Sequence, residues 1–493
     1  MFKNLISKIK AVMYKMGLIN GVKKLTNRKD NIANETFFAQ IEVWKNLYKG
    51  YHSGWHDVKY QTINGTKARR MQSMGMPKVI SQEMATLVFN EKCDISIDDG
   101  ESDFAENIEN VLSNNAFSQN FQNYLEYMFG LGGTVIKVHV IDNQIKLSYV
   151  SAEQFVPIAD NGRTITEGVF VTESRKGENK FTLLEWHMWE QGIYTVKNEL
   201  YKADKNSGDL GVKISLDTMY PGLEDEVQIT GLTRSMFVYF KPNIANNVEL
   251  DSKMGISLFA NAMDTLQSLD VAFDSFHREF RLGKKRIVVP ASAIKVAVDP
   301  LTGTTSRYFD ANDEVYEAFN FEDEKSEIKD VSLELRVEEH VDSINALLEI
   351  LSMQTGFSPG TFTFDSKGLK TATEVISENS KTYKTRSSHI TLVEEGLKDL
   401  VETIAEVASL YGLFTSPDEF EMKVNFDDSI AEDRTTNATY WITLVGAGIA
   451  SQLQAIQKVQ KVTEDEALTI LKQIQLEQGS IQEAEDFMPD DRV

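Results

Sequence analysis

The chain has 493 residues, too many for one ordinary core; at ~150 residues per domain it should form roughly three units. Hydrophobic residues make up 42% and charged residues 25%, which excludes a disordered or linker-dominated protein. The single cysteine, Cys93, excludes an intrachain disulfide framework and a cysteine-rich zinc site, and 51 basic against 74 acidic residues (net −23) exclude a free-standing protein that coats DNA by charge.

In chain order, residues 1–19 interleave Lys3, Lys8, Lys10 and Lys15 with apolar side chains. A secretion signal needs an unbroken apolar stretch of ~7–15 residues, so a short amphipathic helix docked on the protein's own body is expected. No segment approaches the ~20 apolar residues of a membrane span. Residues 34–50 read as a helix, with Asn34 as N-cap and Phe37, Phe38, Ile41, Trp44 and Leu47 as its apolar stripe. Further helices are expected at 78–90, 102–114 and 117–129. Gly130, Gly132 and Gly133 then mark a change of period. From Thr134 the pattern alternates: TVIKVHVID, a turn at Asn143, and IKLSYVSAEQFVPI. The strand candidates EGVFVTES, KFTLLEWHMWE, GIYTVKNELY and MFVYFKP follow with short polar turns, as antiparallel hairpins require.

Residues 256–280 place Phe259, Met263, Leu266, Leu269, Phe273, Phe276 and Phe280 on one face of a long helix. Strand signals return over 286–320, with a turn around Asp299, Pro300, Thr302 and Gly303, then the mixed-charge FEDEKSEIKD and a short strand VSLELR. Residues 337–357 form a second amphipathic helix, its seam Val337, Val341, Ile344, Leu348 and Leu351 suited to a neighbouring helix. Ser358, Pro359, Gly360 and Gly368 break it into a loop over 358–371. Residues 372–412 contain no proline and predict one very long helix. Its second half has the seam Val393, Leu397, Leu400, Ile404, Val407 and Tyr411. Its first half (Glu378, Ser380, Lys381, Lys384, Arg386, Ser387, Ser388) is polar and is expected to meet another subunit or a solvent-filled space. A strand at 420–426 precedes more helices, with Thr463 and Glu466 as a capping box, Gly479 as a stop and a mobile acidic tail from Ser480.

The motifs of common chemistries are missing. There is no phosphate-cradling Gly-x-x-x-x-Gly-Lys-[Ser/Thr], no Gly-x-Ser-x-Gly and no HExxH. Gly130, Gly132 and Gly133 precede a strand, so they do not make a dinucleotide loop. Asp94, Asp98 and Asp99 faintly resemble a calcium loop, but Gly100 is one place late and Ala105 stands where a bidentate glutamate is needed. His52 and His56 are four apart across Gly54, in an expected turn. Cys93, among acidic residues, reads as an inert small hydrophobe. No catalytic residue, metal site or cofactor is therefore expected, and the chain does not read as an enzyme.

The order of parts carries the strongest signal. A helical-then-sheet body leads into a long helix, a small strand-rich insert, a second long helix, a loop, a very long helix and a helical C-terminus. With GLGGTVIKVHVIDNQIKLSYVSAEQFVPI at 130–158 and LKTATEVISENSKTYKT at 369–385, this resembles the portal proteins of tailed bacteriophages, of the siphovirus type that infects Gram-positive hosts. The resemblance implies an α+β, mainly helical fold assembled as a ring of twelve subunits at one capsid vertex. It implies a wing (1–255, with the long helix and strand of 372–429), stem helices (256–280 and 337–357), a clip (281–336), a tunnel loop (358–371), a crown (430–479) and an acidic tail (480–493). Double-stranded DNA would pass through it in packaging and ejection. The terminase large subunit and the head–tail adaptor would dock on the clip, major capsid and scaffolding proteins would surround it, and no membrane is involved. It would sit in the virion, and in the host cytoplasm during assembly.

Three sets of residues are candidates for that role. Asp264, Asp270, Asp274, Glu338, Glu339, Asp342 and Glu349 would make a slippery acidic channel wall, or simply two solvated helix faces. Lys367 and Lys370 in the loop would touch phosphate transiently, or remain solvated. Arg281, Lys284, Lys285 and Arg286 would meet DNA, the terminase or, as the favoured reading, the acidic 322–330 stretch of a neighbouring subunit. A shell or scaffold oligomer without a DNA channel is the alternative.

Overall fold

The computed structural model describes residues 19, 22–25, 35–62, 65–98, 103–205, 207–283, 287–288, 295–298, 305–308, 329–330, 334–364, 380–417, 420–426, 434–460, 462 and 464–485. The body opens with helix α1 (Glu35–Tyr48), which buries Phe37, Phe38, Ile41, Trp44 and Leu47, the five residues of its sequence stripe. Ile19 and Val22 join the same core, and residues 1–18 lie outside the described set. A one-turn helix α2 (Ser53–His56) feeds a hairpin of β1 (Asp57–Thr62) and β2 (Gly65–Arg70) that periodicity does not announce. Helices α3 (Met76–Val88), α4 (Phe104–Asn114) and α5 (Phe117–Leu131) follow.

Between α3 and α4 the segment that resembles a calcium loop is instead strand β3 (Asp94–Asp98). It pairs antiparallel with β17 (Glu421–Asn425), more than 300 positions away, with Ile95 and Ile97 turned inward and Asp94, Ser96 and Asp98 outward. Its aspartates alternate with apolar residues because a strand has period two, not because they converge on an ion.

The sheet region is antiparallel throughout. β4 (Thr134–Ile141) pairs with β5 (Gln144–Ser151) and with β12 (Phe237–Phe240). The turn between β4 and β5 holds Asp142 and Asn143 at φ 49° and 57°, the left-handed pair that a two-residue hairpin needs. A larger sheet runs β6 (Phe155–Asp160), β7 (Ile165–Lys176), β8 (Asn179–Glu190) and β9 (Ile193–Asp204), closed at its β9 edge by β10 (Val212–Ile214) and β11 (Glu226–Ile229).

Helix α6 (Met263–Leu282) begins seven residues later than its apolar spacing suggests, since 256–259 serve as an irregular crossing over the end of α5. The insert retains two short pairs: β13 (Ile287–Val288) with β16 (Lys329–Asp330), and β14 (Lys295–Val298) with β15 (Thr305–Tyr308). The expected strand around 314–320 lies outside the described residues. Helix α7 (Val337–Gln354) returns alongside α6 and buries Ile344, Leu348 and Leu351, while Val337 stays exposed.

In helix α8 (Ser380–Leu410) the polar first half is divided: Arg386 is buried within the chain together with Thr382 and His389, which corrects its place on the outer face, while Ser380, Lys381, Lys384, Ser387 and Ser388 are exposed. The C-terminal helices are α9 (Arg434–Gly446), α10 (Gln452–Gln460) and α11 (Glu464–Glu485). α11 runs through Gly479, so that glycine is not a stop, and the expected mobile tail is helical as far as Glu485. An isolated glycine costs a helix only about 1 kcal/mol against alanine, too little to end it. Thr463 lies outside the described residues.

Candidate functional site

The two helices that carry the acidic candidates form an antiparallel pair. Near the C-terminal end of α6, Glu279 accepts from Arg336 Nε and Nη2 at 3.1 and 3.0 Å, just before α7 begins. The Phe276 and His340 rings stand 5.7 Å apart across the same join. The Arg336 guanidinium holds the Glu279 carboxyl below its usual range.

The opposite side of α6 is pinned to the segment after the β1–β2 hairpin. Asp274 Oδ1 accepts from Arg69 Nη1 at 2.8 Å and from the Gln72 amide at 3.1 Å, and its Oδ2 accepts from Arg69 Nη2 at 2.5 Å. One turn earlier, Asp270 Oδ1 accepts the Met74 amide at 2.7 Å and Oδ2 accepts from His56 Nε2 at 3.0 Å. His56 Nδ1 lies 2.8 Å from the His52 amide and 3.0 Å from the His52 carbonyl, which fixes the ring with Nε2 toward Asp270. Burial alone would raise the Asp274 pKa, but the Arg69 and Gln72 donors outweigh it and hold the carboxyl below its ordinary value.

This corrects the reading of the wall candidates. Asp270 and Asp274 are 5% and 4% exposed and spend their oxygens on the chain's own backbone, His56 and Arg69. An irregular segment has amides that no ladder satisfies, and two carboxylates i, i+4 on a helix supply acceptors at matching spacing. The signal was available: Asp270 lies next to Leu269 and one turn after Leu266, beside the buried stripe rather than opposite it. Asp264 on α6 and Glu338, Glu339, Asp342 and Glu349 on α7 are exposed. Among the described residues no three His, Cys, Asp or Glu side chains gather as metal ligands.

The loop after α7 is held at its start. The Phe364 amide donates to Asn345 Oδ1 at 3.0 Å, the Phe357 and Phe362 rings lie 5.0 Å apart, and the Ser358 amide donates to Thr382 Oγ1 at 2.8 Å. Gly356 takes φ +84°, and a Cβ there would stand 2.6 Å from Thr385 Cγ2. Lys367 and Lys370 lie outside the described residues, as do Lys284, Lys285 and Arg286; Arg281 is exposed on the last turn of α6.

The first half of α8 docks by polar contacts. Arg386 Nε donates to the Leu87 carbonyl at 2.6 Å, and the Asn243 amide donates to His389 Nδ1 at 3.0 Å. Burial pushes His389 down to about 4 from 6.5. The unfolded chain therefore binds a proton between about pH 6.5 and 4 that the folded chain refuses, and stability falls as pH falls through that window. The difference of roughly 2.5 units corresponds to about 3 kcal/mol. His389→Gln, which keeps an acceptor for Asn243, should flatten the fall in urea midpoint between pH 6.5 and 4. An unchanged profile would place the pH dependence elsewhere.

The model of the family "Phage portal protein, SPP1 Gp6-like" matches residues 29–484. No curated protein matches the chain. Among solved structures, a chain from the neck of an empty gene transfer agent particle is similar at TM-score 0.44 and 12% identity, over 78% of this chain and 88% of that one. A chain from the neck of the native particle gives 0.44 and 12%, over 78% and 90%. A chain from the native virion gives 0.43 and 11%, over 78% and 88%.

Proposed function

Because the chain belongs to the SPP1 Gp6-like family of phage portal proteins, we propose that its copies close into a ring, with twelve the expected number, around a passage for double-stranded DNA at one capsid vertex. The observation that carries this reading is the antiparallel α6–α7 pair, braced to the body on one side by Asp270 and Asp274 and leading at its other end into the strand-rich insert. Such a pair is a stiff stave, and staves set side by side can fence a channel. The insert would dock the terminase large subunit during packaging and the head–tail adaptor afterwards, with Arg281, Lys284, Lys285 and Arg286 at its entrance. ATP hydrolysis is then the terminase's work. Capsid and scaffolding proteins would enclose the ring, first in the host cytoplasm and then in the virion.

The exposed face of α6 suits a sliding surface. Asp264 shares it with Gln267, Ser268, Val271, Ser275 and Arg278, so phosphates would meet one described cation on that stripe to hold them. A conduit must release each phosphate it meets, and every neutralised phosphate adds to the affinity that has to be broken. Lys367 and Lys370 are the proposed transient contacts.

Electron micrographs of purified protein should show rings with an open centre; compact monomers, or rings plugged on the axis in every state, would overturn the reading. In a packaging assay, Lys367→Glu with Lys370→Glu should slow DNA uptake severalfold while rings persist. An unaltered rate would remove both lysines from the DNA path.

A further inference from the structure

A cleft of about 710 Å³ lies between β3 and α4. Cys93, Asp94, Ile95, Ser96 and Ile97 form one wall in unbroken sequence. Successive residues of a strand point to opposite faces, so a cleft over one face would touch every second residue. This one touches them all, and no residue of β17 lines it, so it runs along the edge of β3 that β17 leaves open. No other described strand pairs with that edge. An open edge invites pairing with other chains, and proteins protect it with a helix or loop laid over it.

The opposite wall is α4, which turns Ala105, Ile108, Glu109 and Leu112 to the cleft at i, i+3, i+4 and i+7. Phe89 and Phe117 line it as well, with ring centroids 6.3 Å apart. The charged residues of the lining are Asp94 on the strand wall and Glu109 on the helix wall, both exposed. The cleft is thus an apolar slot with a carboxylate on each wall.

One segment of the chain matches this slot. Eight basic residues, from Lys3 to Lys29, precede the first acidic one, Asp30, in a chain of net charge −23. Among the first of them Leu5, Ile6, Ile9, Met13 and Met16 recur at helical spacing. At about 100° per residue, Ile9 lies at the middle of that stripe, with Lys8 and Lys15 along one flank, Lys3 and Lys10 along the other, and Asn4, Ser7 and Ala11 behind. An apolar ridge between two rows of ammonium groups is the complement of an apolar slot between two carboxylates. The segment also runs into the core that underlies the cleft: Ile19 and Val22 are buried in the same apolar cluster as Phe89, Ile108 and Phe117.

We propose that residues 2–16 form a helix that lies in this cleft of its own chain. Ile9 and its neighbours on the stripe enter between β3 and α4, and the lysines of the two rows lay their stems along the walls and bring their ammonium groups to Asp94 and Glu109. Docked there, the helix covers the open edge of β3 and screens Cys93 from solvent.

The test uses Cys93, the single cysteine, as a reporter in the full-length protein. Ile9→Glu with Met13→Glu should speed alkylation of Cys93 by a maleimide about tenfold, because the slot is then open most of the time. Lys8→Glu with Lys10→Glu, one lysine from each row, should speed it severalfold. Circular dichroism and mass photometry check that each variant keeps the fold and assembly state of the unaltered protein. A second measurement does not depend on rates. Of Leu5→Cys, Ile9→Cys and Met13→Cys, at least one should join to Cys93 within one chain on oxidation, at a yield about tenfold above that of Ser7→Cys and Ala11→Cys, whose side chains point away. Equal yields from the two sides of the helix, or disulfides formed only between chains, would overturn the proposal. Unchanged alkylation in Ile9→Glu with Met13→Glu would overturn it too; loss of binding to phosphatidylserine vesicles or to duplex DNA in that variant would then assign the segment to a membrane or a nucleic acid.

Discussion

Gly132→Ala should cost the fold at least about 4 kcal/mol, from steric clash added to backbone strain. Gly132 ends α5 at φ +92°, and a Cβ there would stand 2.5 Å from the Gly255 carbonyl oxygen and 2.9 Å from the Ile256 carbonyl carbon. Gly255 is crowded in return, since its own Cβ would lie 2.3 Å from the Gly132 oxygen. Both obstacles are backbone, so no rotamer change relieves them. The crossing is also where the chain leaves the sheet region for α6: the Leu258 amide donates to the Phe129 carbonyl at 2.8 Å and the Gly255 amide to Tyr239 Oη at 3.1 Å. A wedge here would tilt the helix pair against the body. Gly222→Ala is the control, because Gly222 has φ +86° with nothing within 4 Å of an added methyl, and it should lose only about 1 kcal/mol. Urea denaturation of the two variants separates crowding from backbone strain. Equal losses would mean that the close approach of the two glycines contributes nothing.

Local periodicity made much of this architecture readable. The five apolar residues of α1 are the five it buries, and the turn at Asn143 and the three long strands of the larger sheet, β7 to β9, follow from alternation and polar turns. Hydrophobic burial repeats with the period of the element, so a window of a dozen residues contains the signal. What escaped is polar and distant. β3 finds its partner in β17, which no window spans, and its aspartates look like ligands only while the strand is considered without its partner. Arg386 reads as part of a polar outer face because of its residue type, yet it is buried and donates to the Leu87 carbonyl, and beside it Thr382 Oγ1 and His389 Nδ1 accept from the Ser358 and Asn243 amides. A buried polar group is recognised by its acceptor or donor, and that partner is encoded elsewhere. Asp270 and Asp274 belong to the same class, which is why composition placed them on a wall.

Removing Asp274 tests that class directly. Asp274→Ala leaves the Arg69 guanidinium and the Gln72 amide without their acceptor in a site where the carboxylate was 4% exposed. Breaking a buried, hydrogen-bonded pair on one side costs about 3–5 kcal/mol, mostly the penalty of the group left behind. Arg69 keeps some solvent, with its side chain 25% exposed, so the lower end of that range is expected. Arg69→Met combined with Asp274→Leu should lose less than the two single changes together, because neither partner is then stranded; strict additivity would show that the pair is not coupled. The pH dependence has a definite sign. The folded-state pKa is depressed, so the stabilisation is present above the ordinary carboxylate range and is lost as pH falls through the lower folded value. Asp274→Asn should therefore flatten the acid limb of the stability curve below about pH 4. The hairpin should respond as well. With its anchor gone, trypsin should reach Lys59 and Lys67 faster, while cleavage in the C-terminal helices stays as before. Unchanged hairpin cleavage in a destabilised variant would mean that Asp274 supports α6 alone and does not tether the segment that follows β2.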